Sequence, residues 1–305
     1  MGRLNISSST LTSQNQGGGN SKAGLPSTIG LGPFSWRIIR RRTNYCCLTG
    51  EIDTTGSNDD DDITYTGITD GIVYTLAAGS IMVGGLFTKF NNKTISTGLI
   101  KLNDDGSPDT VFNNILGTGF TINGSGATYV NSIIEDQSGN YIIGGQFDKF
   151  KDQSANNIIK LDSSGNIDID FSTNVFGGGG ENGFTNNSSF FAAAVLTSII
   201  EDQSGNYIIG GEFDKFKDQS ANNIIKLDSS GNIDIDFSNN VFGDGENGFT
   251  QNGSSNAYVF SIIEDQSGNY IIGGNFDKFR GQSANSIIKL DKDGKRVASP
   301  DWKVI

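Results

Sequence analysis

The chain has 305 residues, of which 18% are charged, with a mean hydropathy of −0.29 and a formal net charge of −12. This composition excludes a bundle of membrane helices and is not typical of a disordered chain. No stretch reaches the roughly 20 consecutive apolar residues that a spanning helix needs. The first residues also lack a signal-peptide core and the myristoylation pattern, so we expect a protein that acts where it is made or leaves within an assembly or by lysis.

The first 50 residues differ in charge from the rest of the chain. They hold six basic residues and no acid, which leaves 16 bases against 34 acids in the other 255 residues. Residues 1–33 are rich in Ser, Asn, Gly and Thr, the composition of a flexible segment. The residues predicted to dock on a partner follow: Trp36, Arg37, Arg40, Arg41 and Arg42. They indicate either an arm that binds an acidic surface, such as a neighbouring subunit, or a first strand with solvated charges.

Two short motifs lie between this cluster and the repeats. Cys46 and Cys47 are adjacent and imply no disulfide framework, so we interpret them as small apolar side chains in a strand. The acidic run at 59–62 is interpreted as a solvated loop rather than a cation site. Residues 1–62 are therefore predicted to form a polar and basic arm with an acidic linker, ahead of a body at 63–305.

Internal repetition dominates the chain from residue 71 onward. The segment Ser-Ile-Ile-Glu-Asp-Gln-Ser-Gly-Asn-Tyr-Ile-Ile-Gly-Gly occurs three times, and a diverged copy precedes them. Every copy continues with x-Phe-x-Lys-Phe, then a block ending in Lys-Leu, a Gly-containing turn and an aromatic residue. Four matching blocks in constant order predict four tandem repeats, at about 71–127, 128–193, 194–256 and 257–305.

Each unit is interpreted as two hairpins. In the second repeat, Ile-rich runs at 132–134 and 141–143 flank a group of turn formers. Residues 157–161 and 167–171 flank a second such group. The apolar runs are consecutive, as expected for a sheet that is covered on both faces. About four strands in a unit of this length is typical of a propeller blade, so the predicted fold class is all-β: a β-propeller of four four-stranded repeats after an extended N-terminal arm.

The order of the blocks also resembles a known family. Ile-Ile-Gly-Gly-x-Phe, Ile-Lys-Leu-Asp-x-x-Gly, Asp-x-x-Phe and a later Gly-Phe are similar to the delta-60 repeat over about residues 71–302. The resemblance implies a β-propeller, in a family met in bacterial surface proteins and in bacteriophage and viral proteins. Kelch repeats share the double glycine, but the Tyr and Trp of a kelch unit are missing here. The last copy lacks its Gly-Phe segment, so a strand near 63–66 is predicted to complete that blade. The alternative is a ring whose blades come from more than one chain.

The segments between repeats differ in length and sequence, and they lie at 115–128, 177–192 and 243–256. Repeat symmetry places them at equivalent edges, where inserted loops often form a binding face. The alternative interpretation is a slack surface connection. The residues predicted for a binding face are Asn186, Phe190, Phe191 and Asn252.

The chemistry-bearing residues argue against an enzyme. The chain has no histidine, which removes His-based triads, His-based zinc sites and the commonest general base. Two Gly-x-Gly-x-x-Gly runs, at 178–183 and 243–248, lead into Phe-Thr segments and are rejected as dinucleotide sites. Residues 291–294 begin like a calcium loop, but Trp302 stands where Glu is needed, so a hairpin turn is favoured. The paired acids recur beside turns in copy after copy and are assigned to folding.

We therefore predict a protein that is not an enzyme, with no cofactor and no metal. We also expect no nucleic-acid binding by the acidic body and no membrane span. The favoured function is structural, in an appendage or other part of a phage or virus particle (tail, collar or capsid-associated), where the arm docks on a neighbouring subunit. The partners are then other subunits, including copies of the protein itself, and the location is the virion. The alternative is a cell-surface or extracellular binding propeller that recognises a glycan or protein receptor through the inter-repeat loops.

Overall fold

The computed structural model describes residues 67–78, 81–122, 128–176, 183–186, 194–242, 248–252 and 257–298, and the backbone of two short strands upstream. The upstream strands, β1 (Arg37–Ile38) and β2 (Leu48–Thr49), pair in antiparallel fashion. The other predictions for the region before residue 63 lie outside the described residues: Trp36, Arg40, Arg41, Arg42, the two cysteines, the acidic run and the side chain of Arg37. The docking role of this cluster stays a prediction.

Four repeats follow. The first contains β3 (Ile72–Ala78), β4 (Ile81–Leu86), β5 (Lys89–Phe90), β6 (Lys93–Thr94), β7 (Leu99–Leu102), helix α1 (Thr110–Leu116) and β8 (Phe120–Thr121). The second contains β9 (Tyr129–Glu135), β10 (Tyr141–Gln146), β11 (Lys149–Phe150), β12 (Gln153–Ser154), β13 (Ile158–Leu161), helix α2 (Ile169–Phe176) and β14 (Phe184–Thr185). The third contains β15 (Val195–Glu201), β16 (Tyr207–Glu212), β17 (Lys215–Phe216), β18 (Gln219–Ser220), β19 (Ile224–Leu227), helix α3 (Ile235–Phe242) and β20 (Phe249–Thr250). The fourth contains β21 (Tyr258–Glu264), β22 (Tyr270–Asn275), β23 (Lys278–Phe279), β24 (Gln282–Ser283) and β25 (Ile287–Leu290).

A three-stranded antiparallel sheet is the main element of each repeat. Its central strand carries the double glycine, as in the order β9-β10-β13, and the same order recurs in all four repeats. In the second repeat Gly144 lies opposite Ser132 on one side and Ile158 on the other, and the register shifts between Gly144 and Gly145. Such a bulge bends the strand at the point where the next repeat packs. The prediction of all-β repeats, with several strands each, is confirmed.

The Gly-Phe segments pair with the repeat that follows them. Phe120 in β8 lies opposite Phe150 in β11, and β14 and β20 pair with β17 and β23 in the same way. Before the first repeat, Ile68 forms the equivalent bridge to Phe90, and Gly67 accepts a hydrogen bond from the Asn91 N–H at 2.8 Å. Residues 63–66, predicted to complete the last blade, lie outside the described residues. The residues just after them complete the first blade.

In each of the first three repeats, the described residues form a short helix where the second hairpin was predicted to end. Ile167 makes a single bridge to Leu161, and helix α2 then begins at Ile169, so the prediction of a strand at 167–171 is wrong. The Asp168 carboxylate accepts a hydrogen bond from the Phe171 N–H at 2.9 Å, which caps the helix. Phe171 and Val175, four residues apart, are buried on one face of the helix.

The repeats stack through their first two strands. Strand β9 packs against β3 and β4, β15 packs against β9 and β10, and β21 packs against β15 and β16. The hydrophobic clusters therefore cross repeat boundaries, and Ile142 and Ile158 of the second repeat share a cluster with Leu196 and Ile199 of the third. Within the described residues, no comparable strand packing joins the fourth repeat to the first.

Candidate functional site

A carboxylate, a tyrosine and a lysine meet where the second and third repeats stack. Asp136 lies in the turn after β9, Lys160 lies in β13, and Tyr207 comes from β16 of the next repeat. The Tyr207 hydroxyl donates to an Asp136 oxygen at 2.8 Å, and the Lys160 Nζ lies 3.6 Å from the same carboxylate. All three side chains are buried.

The same group recurs one repeat further along. The Tyr270 hydroxyl donates to Asp202 at 2.8 Å, and the Lys226 Nζ lies 3.3 Å from that carboxylate. In the fourth repeat the equivalent carboxylate, Asp265, forms an ion pair with Lys289 of its own repeat at 2.7 Å. This hydrogen bond from Lys289 holds the pKa of Asp265 well below its usual range.

The pKa shifts indicate a structural role for these groups. Burial raises the pKa of Asp136, but the hydrogen bonds from Asn140 and Tyr207 and the charge of Lys160 outweigh it and leave the pKa below its ordinary value. Burial and the hydrogen bond to Asp136 both raise the pKa of Tyr207 far above its ordinary value. Neither group titrates near neutral pH, whereas an acid–base catalyst needs a pKa close to its working pH. The arrangement fixes a donor against an acceptor.

The sequence-variable segments attach at one edge of the stack. Strand β15 begins at Val195, which lies opposite Glu212 at the end of β16, whereas the hairpin turn at 202–206 lies at the other end of both strands. Strands β9 and β21 begin in the same way, at Tyr129 and Tyr258. We call the edge where β9, β15 and β21 begin the variable edge, and the edge with the hairpin turns at 136–140, 202–206 and 265–269 the turn edge.

A polar cluster lies at the variable edge between the third and fourth repeats. The Asn186 amide donates a hydrogen bond to the Glu212 Oε1 at 3.1 Å. The Tyr258 hydroxyl also bonds to Glu212, and burial together with this bond raises the pKa of Tyr258. Asn186 is buried, while Glu212 and Tyr258 are half-buried. We call these three residues the edge cluster.

The edge cluster does not recur in the other repeats. Glu212 corresponds to Gln146 in the second repeat and to Asn275 in the fourth, because each ends the strand that carries the double glycine. Tyr258 corresponds to Val195 in the third repeat and to Tyr129 in the second. The tyrosine thus recurs at Tyr129, but Leu86 of the first repeat stands where Glu212 would be needed to bind it. Groups that every repeat shares serve the common fold, so a polar group found in one repeat is the better candidate for a specific function.

The structure places only half of the residues predicted for a binding face. Asn186 belongs to the edge cluster, and the Asn252 N–H donates to an Asp277 carboxylate oxygen at 3.0 Å. Phe190 and Phe191 lie outside the described residues, and the role of all four stays a prediction. Glu212 and Tyr258 were missed from the sequence, although an acid standing where the second and fourth copies carry an amide was a usable signal.

The described part of the chain offers neither a metal cluster nor a membrane-spanning helix. No group of three or more His, Cys, Asp or Glu residues there has the proximity to hold a metal ion. In the turn predicted at 291–294, the first residue binds backbone groups. The Asp291 carboxylate accepts hydrogen bonds from the N–H groups of Asp293 and Lys295 at 3.0 and 2.9 Å. No helix in this part has the length and apolar character of a membrane span.

A protein-family model matches the chain once in each repeat. The model is described as a domain of unknown function (DUF5122) beta-propeller, and the matches cover residues 79–112, 137–171, 203–237 and 266–296. These four matches support a β-propeller repeat family. No curated protein matches the chain.

Solved structures align with parts of the chain at low similarity. The extracellular domain of BT4673 from B. thetaiotaomicron aligns with 75% of this chain and 22% of its own length, at 16% identity and a TM-score of 0.35. PorZ, a bacterial surface component of the type-IX secretion system of Porphyromonas gingivalis, aligns with 74% of this chain and 33% of its own length, at 13% identity and a TM-score of 0.30. The chain therefore spans only a fifth to a third of these structures. At such TM-scores the alignments carry no argument about function.

Proposed function

From a chain built of β-propeller-family repeats, we propose a non-enzymatic binding protein that holds a glycan at its variable edge. The observation that carries the proposal is the edge cluster of Asn186, Glu212 and Tyr258. It combines a carboxylate, an amide and a phenol, and it is absent from the equivalent positions of the other repeats. Stacked sheets provide a rigid base, while the polar groups sit where the variable segments attach.

The chemistry of the edge cluster suits a sugar. Carboxylate and amide oxygens accept hydrogen bonds from hydroxyl groups, amide and phenol hydrogens donate to them, and a tyrosine ring offers an apolar face. Glu212 already holds two of these groups in place, so little side-chain freedom is lost when a ligand binds. We place the protein at a cell surface or in the extracellular space, because glycans are displayed there.

This proposal takes the place of the structural role in a virion that the sequence favoured. That function depended on the basic arm, and the side chains of Trp36 and Arg37 lie outside the described residues. No contact among the described residues supports a structural role in a phage or virus particle. The finer family assignment, the delta-60 repeat, remains our own proposal and rests on the Gly-Gly-x-Phe and Ile-Lys-Leu blocks.

A glycan array probed with the labelled full chain tests this function. We expect selective binding to a limited set of glycans. The Glu212→Ala variant should bind them about tenfold more weakly or worse, since it loses a charged hydrogen-bond partner. The matched control is Gln146→Ala, which truncates the equivalent residue of the second repeat and should bind like the wild type. No selective glycan binding, or equal binding by Glu212→Ala and the wild type, would contradict the proposal.

A further inference from the structure

Two apolar side chains join each repeat to the one before it. Val130 and Ile133 lie so close to Gly84 that a Cβ atom there would come within 2.6 Å of the Val130 Cγ1 and 2.7 Å of the Ile133 Cδ1. At Gly210 the corresponding distances are 2.5 Å to the Val259 Cγ1 and 2.8 Å to the Ile262 Cδ1. The first glycine of each pair is therefore the seat of the following repeat.

A hydrogen bond from a backbone N–H to a side-chain hydroxyl crosses each interface. The Ile133 N–H donates to the Thr75 hydroxyl at 3.2 Å, across the first interface. At the second interface the Ile199 N–H donates to the Ser132 hydroxyl at 3.0 Å. At the third, Ile262 and Ser198 repeat the bond at 3.1 Å. One set of contacts thus builds all three interfaces.

The fourth repeat presents an unoccupied seat. Among the described residues, a Cβ at Gly273 would meet nothing closer than the Ser286 carbonyl oxygen at 4.0 Å. Ile287 is 46% exposed, whereas its counterparts in the second and third repeats, Ile158 and Ile224, are 0% exposed. Phe260 and Ile263 are exposed as well. We call Phe260, Ile263, Gly273 and Ile287 the trailing face.

The first repeat presents the side chains that such a seat receives. Leu76 is 65% exposed, although its counterpart Ile133 is 4% exposed. Val73, the counterpart of Val130, and its neighbour Ile72 are also exposed. We call Ile72, Val73 and Leu76 the leading face. The trailing face has the glycine seat without side chains over it, and the leading face has the side chains without a seat. Both continue the pattern of the three existing interfaces.

We propose that a second copy of this chain docks its leading face on the trailing face, with Val73 and Leu76 seated over Gly273. The Leu76 N–H then faces the Ser261 hydroxyl, the counterpart of Ser132 and Ser198. The contact is heterologous, and two copies that make it reciprocally close a ring. Such a pair supplies eight repeats, within the range of about four to eight blades typical of propellers.

The polar groups at the two faces fit the same partner. The second and third interfaces each bury a tyrosine against an aspartate, but the leading face carries Ile81 at the tyrosine position. A docked second copy therefore brings no hydroxyl to Asp265. That carboxylate needs none, because Lys289 of its own repeat already binds it at 2.7 Å. The new interface therefore buries Ile81, which is apolar, and Asp265, which is already paired, so neither position leaves a polar group without a partner.

The molar mass of the full chain in solution tests the proposal. Light scattering at micromolar concentration should give twice the chain mass of 32.5 kDa. Gly273→Val fills the seat, and the Cβ that it adds lies 4.0 Å from the nearest described neighbouring atom, so it should give a monomer that melts like wild type diluted until its dimer has dissociated. Leu76→Asp should also give a monomer, and Val111→Asp, a matched exposed position in helix α1, should stay dimeric.

An equimolar mixture of the two monomeric variants distinguishes head-to-tail docking from any other. The Leu76→Asp chain keeps its trailing face and the Gly273→Val chain keeps its leading face, so the mixture should regain a dimer through one intact interface. A monomeric wild type would overturn the proposal. Oligomers that grow with concentration, a dimer that survives either variant, or a mixture that stays monomeric would overturn it equally.

Discussion

The Tyr207 hydroxyl bonds the carboxylate of Asp136 although the two residues lie 71 positions apart, in successive repeats. Tyr270 and Asp202 repeat the bond one interface further. Both partners are buried, so loss of one leaves the other unsatisfied, at a cost of about 1–3 kcal/mol. The recurrence of this tyrosine and aspartate in the sequence therefore has a physical reason: each pair fastens one repeat to the next.

Acid should destabilise the protein through Asp136 and Asp202. Burial raises the pKa of each carboxyl, but hydrogen bonds from the neighbouring asparagine and tyrosine and the charge of the nearby lysine outweigh it, so each folded pKa lies below the ordinary value. The unfolded state then binds the proton more tightly. This stability is complete above the ordinary pKa of about 3.9 and is lost as the pH falls through the folded pKa.

Urea unfolding at a series of pH values measures this effect. The chain has no histidine, so we expect a nearly constant free energy of unfolding from about pH 5 to 8 and a steep loss below about pH 4. Asp202→Asn should be less stable at neutral pH and should lose less stability on acidification. If Asp202→Asn lost stability below pH 4 as steeply as the wild type, the assignment to Asp202 would be refuted.

Alanine should be tolerated at Gly273 and harmful at Gly210. A Cβ at Gly210 would lie 2.5 Å from the Val259 Cγ1, and such overpacking costs about 1–3 kcal/mol. At Gly273 the nearest atom of the described part of the chain would lie 4.0 Å from the added Cβ, so Gly273→Ala should leave stability unchanged or raise it by up to about 1 kcal/mol through the unfolded state. The comparison is a urea titration in dilute protein, where any dimer has dissociated. Equal destabilisation by the two variants would speak against the stacking.

Removal of the helix cap should weaken the second repeat. The Asp168 carboxylate caps helix α2 through the Phe171 N–H and lies 3.8 Å from the Lys160 Nζ. Asp168→Ala should cost about 0.5–2 kcal/mol in the free energy of unfolding. Asp168→Asn keeps the cap, so it should cost clearly less, and Asp170→Ala, in the first turn of helix α2, serves as a matched control. If Asp168→Asn costs as much as Asp168→Ala, the cap is not the source of the effect.

The sequence sufficed for the first hairpin of each repeat but not for the second. Ile-rich runs around a turn of Asp, Ser, Gly and Asn can form only one hairpin, and β9 and β10 confirm it. The segment after Leu161 carries a competing pattern. Asp168 is a helix cap, and Phe171 and Val175 have helical spacing, yet the Ile and Phe content of so short a segment also suits a strand.

The candidate site was predictable only in part. Asn186 was named because it lies in a variable segment, which repeat symmetry places at an edge. Its partner Glu212 is 26 residues away, and Tyr258 belongs to the next repeat. Contacts that cross a repeat boundary depend on how the sheets stack, and a single sequence does not contain that geometry. The open faces at Leu76 and Gly273 were hidden for the same reason.

The claim that the recurring polar residues hold the repeats together is tested most directly by a double-mutant cycle on Asp136 and Tyr207. Urea unfolding of the wild type, Asp136→Ala, Tyr207→Phe and the double variant gives the coupling energy, which we predict to be about 1–3 kcal/mol. A second cycle that combines Asp136→Ala with Tyr270→Phe, whose partner is Asp202, should show coupling below about 0.5 kcal/mol. A coupling between Asp136 and Tyr207 no larger than that of the second cycle would contradict the claim.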